Sequence, residues 1–507
     1  MNARSKTLDL DALALKTAEL RQQGKRIVHC HGVFDLLHLG HIRYFEAAKR
    51  YGDVLVVTLT PDEYVNKGPH RPIFTGLHRA EAIAALACVD AVAINTFATA
   101  VETIGKLRPN FYVKGSEYRN AGDDITGGIT REREAVEAVG GQLVFTDDIT
   151  FSSSNLLNRA LPVFSKETHE YLRDLGTRHP AGRVQSYLKN AQSLRVLVVG
   201  ETIIDEYVFC ETLGKAGKEP VLAARQLKSE RFAGGVIAIA NHLASFAGSV
   251  SVLSFIGSDG DSREFIQSKL AANVQPALLP MESAPTILKR RFVELDHMQK
   301  LFETYVLDDE PSPRDASLLL STLAEMLPRF DLVIVADYGH GMLSEAAVGL
   351  LTRGAKFLAV NVQVNAHNHG FNTMGKYPRA DYVSISEREL RLDARSRKTG
   401  VEELIERLSA RLSASRVMIT RGEQGCVCYS KTDGFFRSPA LAMKVVDRIG
   451  AGDALFAVSS LCVAQGMPME VVGFVANAAG AQAVATVGNR EPVGQVSLMK
   501  FIESLLK

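Results

Sequence analysis

The chain reads as an α/β protein built from two doubly wound domains, and three observations predict it. Its 507 residues exceed what one hydrophobic core supports, so two domains or more are expected. Short apolar strands alternate with helical stretches in two separate runs, the pattern of parallel sheets covered by helices. Between the runs lies a polar helical stretch, Phe164 to Asn190, carrying Glu167, Glu170, Arg173, Asp174 and Arg178. A first domain is placed over 1–160, a helical linker over 161–192 and a second domain over 193–507.

The first domain opens on an amphipathic helix predicted over Asp9 to Gln23, followed by the strand KRIVHCHGVF, Lys25 to Phe34. Further strands are read at Val54 to Leu59, Ala91 to Asn95, Phe111 to Lys114 and Gln142 to Phe145. Helices fall between them at Leu77 to Ala87, Ala98 to Leu107 and Thr130 to Val139. The second domain starts with the strand Arg195 to Val199, which runs into GETIIDEY. Helical signal is weak over Phe209 to Phe232, and a small β lid is expected there. Alternation resumes with strands at Val250 to Phe255, Leu332 to Ala336, Lys356 to Val360 and Arg416 to Thr420, and a helix over Ser262 to Ala271. Two small-residue helical segments, AGDALFAVSSLCVAQG and VVGFVANAAGAQAVATVG, close the chain.

Composition narrows the partners. Basic and acidic residues number 58 and 57, a net charge of +1, so nucleic acid or an anionic membrane finds no global attraction. Anion binding must be local. The 6 cysteines are dispersed in apolar runs, which fits reduced thiols in the cytoplasm rather than a disulfide framework. Cys426 and Cys428 alternate on a strand, with no second pair to complete a zinc set. The N-terminal segment is acidic and helix-periodic, unlike a secretory signal, and no apolar run reaches the roughly 18 residues of a membrane span.

Two motifs carry chemistry. In GVFDLLHLGH, Gly32 to His41, an apolar strand ends and a helix is predicted to begin near Gly40. His38 and His41 then stand at a helix N-terminus, where unpaired N–H groups and the positive dipole end favour a phosphate. Gly40 lets that phosphate approach the backbone. Two imidazoles three residues apart can donate to one α-phosphate as its charge grows in an in-line displacement. No protein nucleophile is needed, because the attacking group is a phosphate oxygen of the substrate. His29 and His31 share a strand face, but a third metal ligand is not evident.

With these residues in place, Lys25 to Arg159 resembles the cytidylyltransferase-like nucleotidyltransferases, in particular the adenylyltransferase half of heptose-1-phosphate enzymes. The likeness extends to Asp35, to Lys67 with Arg71-Pro72, to Lys114 through Tyr118, and to FSSSNLL at Phe151 to Leu157. It implies that Gly32, Phe34, Asp35, Gly40 and Lys114 serve the nucleotide and its phosphates. It puts Lys67 on the triphosphate or sugar phosphate, and Ser152, Ser153 and Ser154 with Asn155 on the β and γ phosphates. Serines at a helix start make an anion cradle, or a plain N-cap. His31 stands where the family often has a small polar residue.

In DRIGAGDALFA, Asp447 to Ala457, Gly450, Ala451 and Gly452 precede Asp453 and a small-residue helix. Such a turn aims successive N–H groups at one point, where a γ-phosphoryl group could carry its charge. Asp453 lies where it can accept a proton from a sugar hydroxyl. Arg195 to Lys507 resembles the ribokinase-like, PfkB-type sugar kinases through Asp205 in GETIIDEY, AGG at Ala233 to Gly235, GSDG at Gly257 to Gly260, ADYGHG at Ala336 to Gly341 and TRGEQG at Thr420 to Gly425. The likeness implies Asp205, Gly234, Gly235 and Asp337 on the sugar, and Thr420, Gly422, Gly425 and Asn477 near ATP. Glu387 is then the magnesium residue.

The chain departs from that pattern at four places. Arg448 replaces a Thr, Ser384-Ile385-Ser386-Glu387 replaces Asn-x-x-Glu, Ala238 replaces an Asn, and Asn361-Val362-Gln363 replaces Asp-Pro-Lys. The polar loop VNAHNHGFNTMGKY, Val364 to Tyr377, is expected to touch substrate or nucleotide.

Both halves together resemble the bifunctional heptose-7-phosphate kinase and heptose-1-phosphate adenylyltransferase family, with the domain order reversed. That resemblance implies ATP and a sugar or sugar phosphate as substrates, ATP or CTP for the transfer step, and Mg2+ at both triphosphate sites. It also implies a cytoplasmic homo-oligomer. The alternatives are a nucleotidyltransferase with an inactive kinase-like module, a nucleotide-binding scaffold, or a first domain acting on another acceptor such as a phosphocholine-like or glycerol phosphate, against which the attached sugar-kinase-like half argues.

Overall fold

The computed structural model describes residues 3–65, 72–118, 128–146, 164–281, 284–296, 298–308 and 310–506. It divides into two compact units, Met1–Arg173 with Met499–Lys507, and Asp174–Leu498.

The first unit is a six-stranded sheet, β1 (Thr7–Leu8), β2 (Ile27–Gly32), β3 (Val54–Leu59), β4 (Ala91–Ile94), β5 (Phe111–Lys114) and β6 (Gln142–Phe145). All strands are parallel, in the order β1-β4-β3-β2-β5-β6. Helices Leu10–Gln22, Leu39–Lys49, Gly76–Ala84, Val101–Leu107 and Gly128–Ala138 connect them. The apolar strands read as continuous hydrophobic runs because both faces are covered: Val28, Cys30, Leu55, Val57 and Val113 pack with Phe45, Ala80 and Ile83. From β2 the chain builds outward to β3 and β4, then returns to add β5 on the other side. The carboxyl end of β2 is therefore a topological switch point, the usual ligand position in such sheets.

The strand expected through Phe34 stops at Gly32. Phe34 and Leu36 adopt φ of 47° and 52°, so the chain turns sharply there. The Phe34 ring folds back to within 3.0 Å of where a Cβ on Gly32 would lie, which only glycine permits without displacement.

The second unit contains strands β7 (Arg195–Gly200), β8 (Thr202–Lys215), β9 (Leu222–Gly235), β10 (Ser249–Gly257), β11 (Val274–Met281), β12 (Ile287–Glu294) and β13 (Gln299–Val306). They are followed by β14 (Leu332–Asp337), β15 (Leu358–Val362), β16 (Tyr382–Ser386), β17 (Arg416–Thr420), β18 (Cys426–Ser430) and β19 (Gly434–Ser438). Nine form one sheet, β11-β10-β7-β14-β15-β16-β17-β18-β19, in which only the last two join antiparallel. Four form the lid, β13-β12-β8-β9. The lid is larger than expected, because β12 and β13 carry charged residues that mask their alternation. On β12, Ile287, Lys289, Arg291 and Val293 are all buried, at alternating positions on one face. The two small-residue helices, Ala451–Ala464 and Met469–Ala483, are almost wholly buried. Among the described residues no helix is long and apolar enough to cross a membrane.

Candidate active sites

At the carboxyl end of β2, the helix Leu39–Lys49 starts with His38 as its N-cap, Nδ1 accepting from Gly40 N at 3.1 Å. That bond fixes the tautomer: a neutral His38 carries its proton on Nε2, a donor. Partial burial lowers its affinity for a second proton. His41 stacks on His38 with ring centroids 4.0 Å apart and stands edge-on to Phe34 at 5.5 Å. The two histidines thus come together at one helix start, as their spacing predicts.

Other residues of the first motif do different work. Asp35, expected on the nucleotide, is buried and accepts from Ile73 N at 2.9 Å and Phe74 N at 3.2 Å, so its carboxylate holds the following loop. Lys114, expected on phosphate, pairs with Glu132 at 2.9 Å in a site where both side chains are about nine-tenths covered. His29 and His31 both bond the Thr58 hydroxyl at 2.8 Å, and burial takes His29 down to about 3, so both rings are neutral. Lys67, Arg71, Ser152, Ser153, Ser154 and Asn155 lie outside the described residues. Arg79, which the sequence reading passed over, is fully buried and donates to Val33 O, Thr60 O and Phe74 O, tying the loop after β2 to both ends of the loop after β3.

In the second unit a cavity of about 320 Å³ collects Asp205, Gly235, Thr420, Arg448, Gly450, Gly452 and Asp453. Gly450 caps the helix Ala451–Ala464 with φ of 82°, and a Cβ there would lie 1.9 Å from Asn489 Oδ1. No other residue fits that turn. A Cβ on Gly452 would meet nothing within 4 Å, so its backbone borders open space. Asp453, in the first turn of the helix, takes Tyr338 Oη and Gln363 Nε2 on Oδ1, each at 3.0 Å. Among the described residues Oδ2 takes no hydrogen bond and is left for a ligand. Burial raises the Asp453 carboxyl to about 6, opposed by these two bonds. A base of that strength is unprotonated at neutral pH and can still accept a proton.

Asp205 on β8 sits beside the glycine pair of β9: a Cβ on Gly234 would lie 2.2 Å from its Oδ2, and one on Gly235 2.3 Å from Glu201 O. Arg291 from β12 ion-pairs with Asp205 and reaches Glu303 at 3.0 Å. Glu389, unassigned by the sequence reading, lines the cavity and closes a capping box with Ser386.

Several residues expected at this site are held away from the cavity in the structure. Asp337 is fully buried and bonded to Tyr377 Oη at 2.7 Å, Lys376 Nζ at 2.5 Å and Gly339 N at 3.0 Å, so it holds a loop instead of facing the cavity. Asn477 is buried as well, donating to Ser438 O and Cys426 Sγ. Glu387 accepts from Arg391 at 2.8 Å and Arg421 at 2.7 Å, and among the described residues no group of three His, Cys, Asp or Glu could hold a metal. The residues present do not form a resident magnesium centre around it. The polar loop after β15 spends its amides internally: Asn365 and Asn368 donate to Tyr338 O at 2.8 and 2.7 Å, and Asn372 to Asp337 O at 3.1 Å. Gln363 is the residue near that loop that reaches the cavity. Gly425, at φ of 76°, packs against Ser438 O, and Gly422, at φ of 58°, borders open space. Neither lines the cavity.

Lys289 and Arg291 were missed by the sequence reading, and Tyr338 and Gln363 were quoted within motifs without a role, although all four line the cavity. Their signal was faint. It lay in charged residues occupying the inward positions of an alternating strand, and in polar groups at the ends of β14 and β15.

Residues 29–159 match the family described as cytidylyltransferase-like. The chain is 39% identical over 157 residues to the bifunctional protein HldE of Methylobacillus flagellatus, covering 30% of this chain and 31% of that one. It is 27% identical over 307 residues to the bifunctional protein HldE of Campylobacter jejuni subsp. doylei, covering 59% and 62% respectively. Each alignment thus spans less than two thirds of the curated relative. Ribokinase from Thermotoga maritima shares the fold, with a TM-score of 0.50 at 19% identity, over 61% of this chain and 99% of that one. Residues 193–495, more than half of the sequence, match the pfkB family of carbohydrate kinases, and the chain belongs to that family.

Proposed function

We propose that the chain is a bifunctional transferase, a sugar kinase and a sugar-1-phosphate nucleotidyltransferase, that makes an ADP-heptose-like nucleotide sugar for surface glycans. One observation carries the reading: a single chain holds both Asp453, buried behind the Gly450–Gly452 turn in a cavity shared with Asp205, and the stacked His38 and His41 at a helix start. In the kinase step the acceptor hydroxyl gives its proton to Asp453 while the amides of the turn receive the charge of the γ-phosphoryl group of ATP. In the transfer step an oxygen of the sugar 1-phosphate attacks the α-phosphorus of ATP or CTP. His38 Nε2–H and His41 stabilise that phosphate as pyrophosphate leaves. Magnesium belongs to this reading as the companion of each triphosphate. The transferase precedes the kinase, the reverse of the order expected from the bifunctional family. A cytoplasmic homo-oligomer completes the proposal.

A second reading keeps only the transferase active. Glu387, locked between two arginines, and Arg448, paired with Glu423 at 2.6 Å at the mouth of the turn, favour it. Mass spectrometry of products after incubation with ATP, CTP and a library of sugars and sugar phosphates separates the two. Sugar-dependent ADP formation that disappears in Asp453→Asn supports the bifunctional enzyme. Nucleotide-sugar formation without it supports the transferase alone.

A further inference from the structure

Lys289 stands on the inward face of β12 with 7% of its surface exposed. Among the described residues no hydrogen bond or ion pair engages its ammonium. Its neighbours are ring faces, Tyr305 at 5.5 Å and Tyr338 at 5.9 Å. A ring attracts a cation but satisfies none of its three N–H donors in full. The charged groups around it are Asp205, Glu201, Glu303, Arg291 and Asp453. The carboxylates are largely committed: Asp205 and Glu303 to Arg291, Glu201 to the N–H groups of Tyr338 and His340, each at 3.0 Å. A buried ammonium without a partner is costly, and folds keep such a charge where an arriving group will pair with it. Lys289 lines the same cavity as Gly450, Gly452 and Asp453. Tyr338 lies between the two charges, its ring toward Lys289 and its hydroxyl on Asp453.

We propose that Lys289 is a second catalytic residue of phosphoryl transfer: its ammonium lies against the acceptor oxygen that Asp453 deprotonates and holds the negative charge that grows there. The inference rests on the kinase reading above. The acceptor proton passes to Asp453, and the oxygen's electron pair forms the bond to the γ-phosphorus. The bond from that phosphorus to the bridging oxygen breaks, its pair leaving on ADP. Lys289 keeps its three protons throughout. The same ammonium favours the charged form of Asp453, the form that accepts the proton.

The test uses the full chain as wild type, Lys289→Met and Lys289→Arg, with ATP and a panel of hexose and heptose monophosphates. The methionine variant is expected to lose on the order of a hundredfold in kcat with little change in either KM, and to move the acid limb of the pH profile upward. Arginine, which keeps the charge, is expected to restore most of the rate, and thermal melts check that both variants fold. A methionine variant that raises the acceptor KM with kcat intact makes Lys289 a ground-state contact and overturns the proposal. So does one with unaltered kinetics, while wild-type turnover leaves the kinase reading standing. A wild-type chain that phosphorylates nothing in the panel overturns the kinase reading and the role of Lys289 together.

Discussion

Tyr338 donates its hydroxyl to Oδ1 of Asp453 at 3.0 Å, and the main chain of that tyrosine is clamped on both sides. Its N–H is taken by Glu201 at 3.0 Å, and its carbonyl receives Asn365 and Asn368 at 2.8 and 2.7 Å. The loop that looked like a ligand contact in the sequence is therefore the scaffold that aims a hydroxyl at the base.

Removing that hydroxyl tests the arrangement. Asp453 works unprotonated, so kcat/KM for phosphorylation is expected to rise with pH through about 6. The Tyr338 bond stabilises the carboxylate. In Tyr338→Phe the rising limb should move upward by about one to two pH units, since a hydrogen bond to a charged group contributes roughly 1.5–3 kcal/mol. A limb that stays in place would show that Tyr338 does not hold the base.

Asp453 also leaves a mark on stability. Its folded carboxyl is raised from 3.8 to about 6, so its proton favours the folded state at low pH, and that contribution is lost as pH rises through 6. At neutral pH the buried charge costs up to about 3 kcal/mol. Asp453→Asn, which cannot ionise, should melt above wild type at pH 7.5 and level with it near pH 4 in calorimetry, while kinase activity falls by about a hundredfold or more. An asparagine variant less stable at every pH would contradict the burial argument.

For the transferase, His38→Asn and His41→Asn should each lower nucleotide transfer on the order of a hundredfold to a thousandfold while ADP formation by the other unit continues. The readout is pyrophosphate release against ADP release in the same preparation. Equal loss of both activities would mean the substitutions act through folding.

How far the sequence carried this picture depended on where its chemistry was local. β3, β5 and β17 fall where apolar runs predicted them, because buried parallel strands write themselves as unbroken hydrophobic segments. His38 with His41, and Gly450 through Asp453, were legible because a helix start brings close neighbours in sequence together in space. Asp337, Asn477 and Glu387 show a second use of a motif residue, because a carboxylate or amide can equally hold a loop. Which it does depends on partners such as Tyr377, Ser438 and Arg421, far away in the chain. Lys289 and Arg291 stayed hidden for the opposite reason. Their face of β12 is buried only once β8 and β13 flank it, and KRR by itself reads as solvated.

Lys114 offers the sharpest separation between a phosphate contact and a structural ion. Its ammonium pairs with Glu132 at 2.9 Å and lies against the rings of Tyr112 and Tyr118 at 5.3 and 5.2 Å. Breaking a buried pair from one side strands the other charge, at about 3–5 kcal/mol, whereas replacing both partners by neutral groups is often nearly neutral. Glu132→Gln should therefore lower the melting temperature sharply, and adding Lys114→Met should recover most of the loss. If the lysine is structural, the double variant also keeps its KM for the nucleoside triphosphate within about twofold. A stable double variant whose nucleotide KM rises tenfold would return Lys114 to the phosphate and require Glu132 to release it when substrate binds.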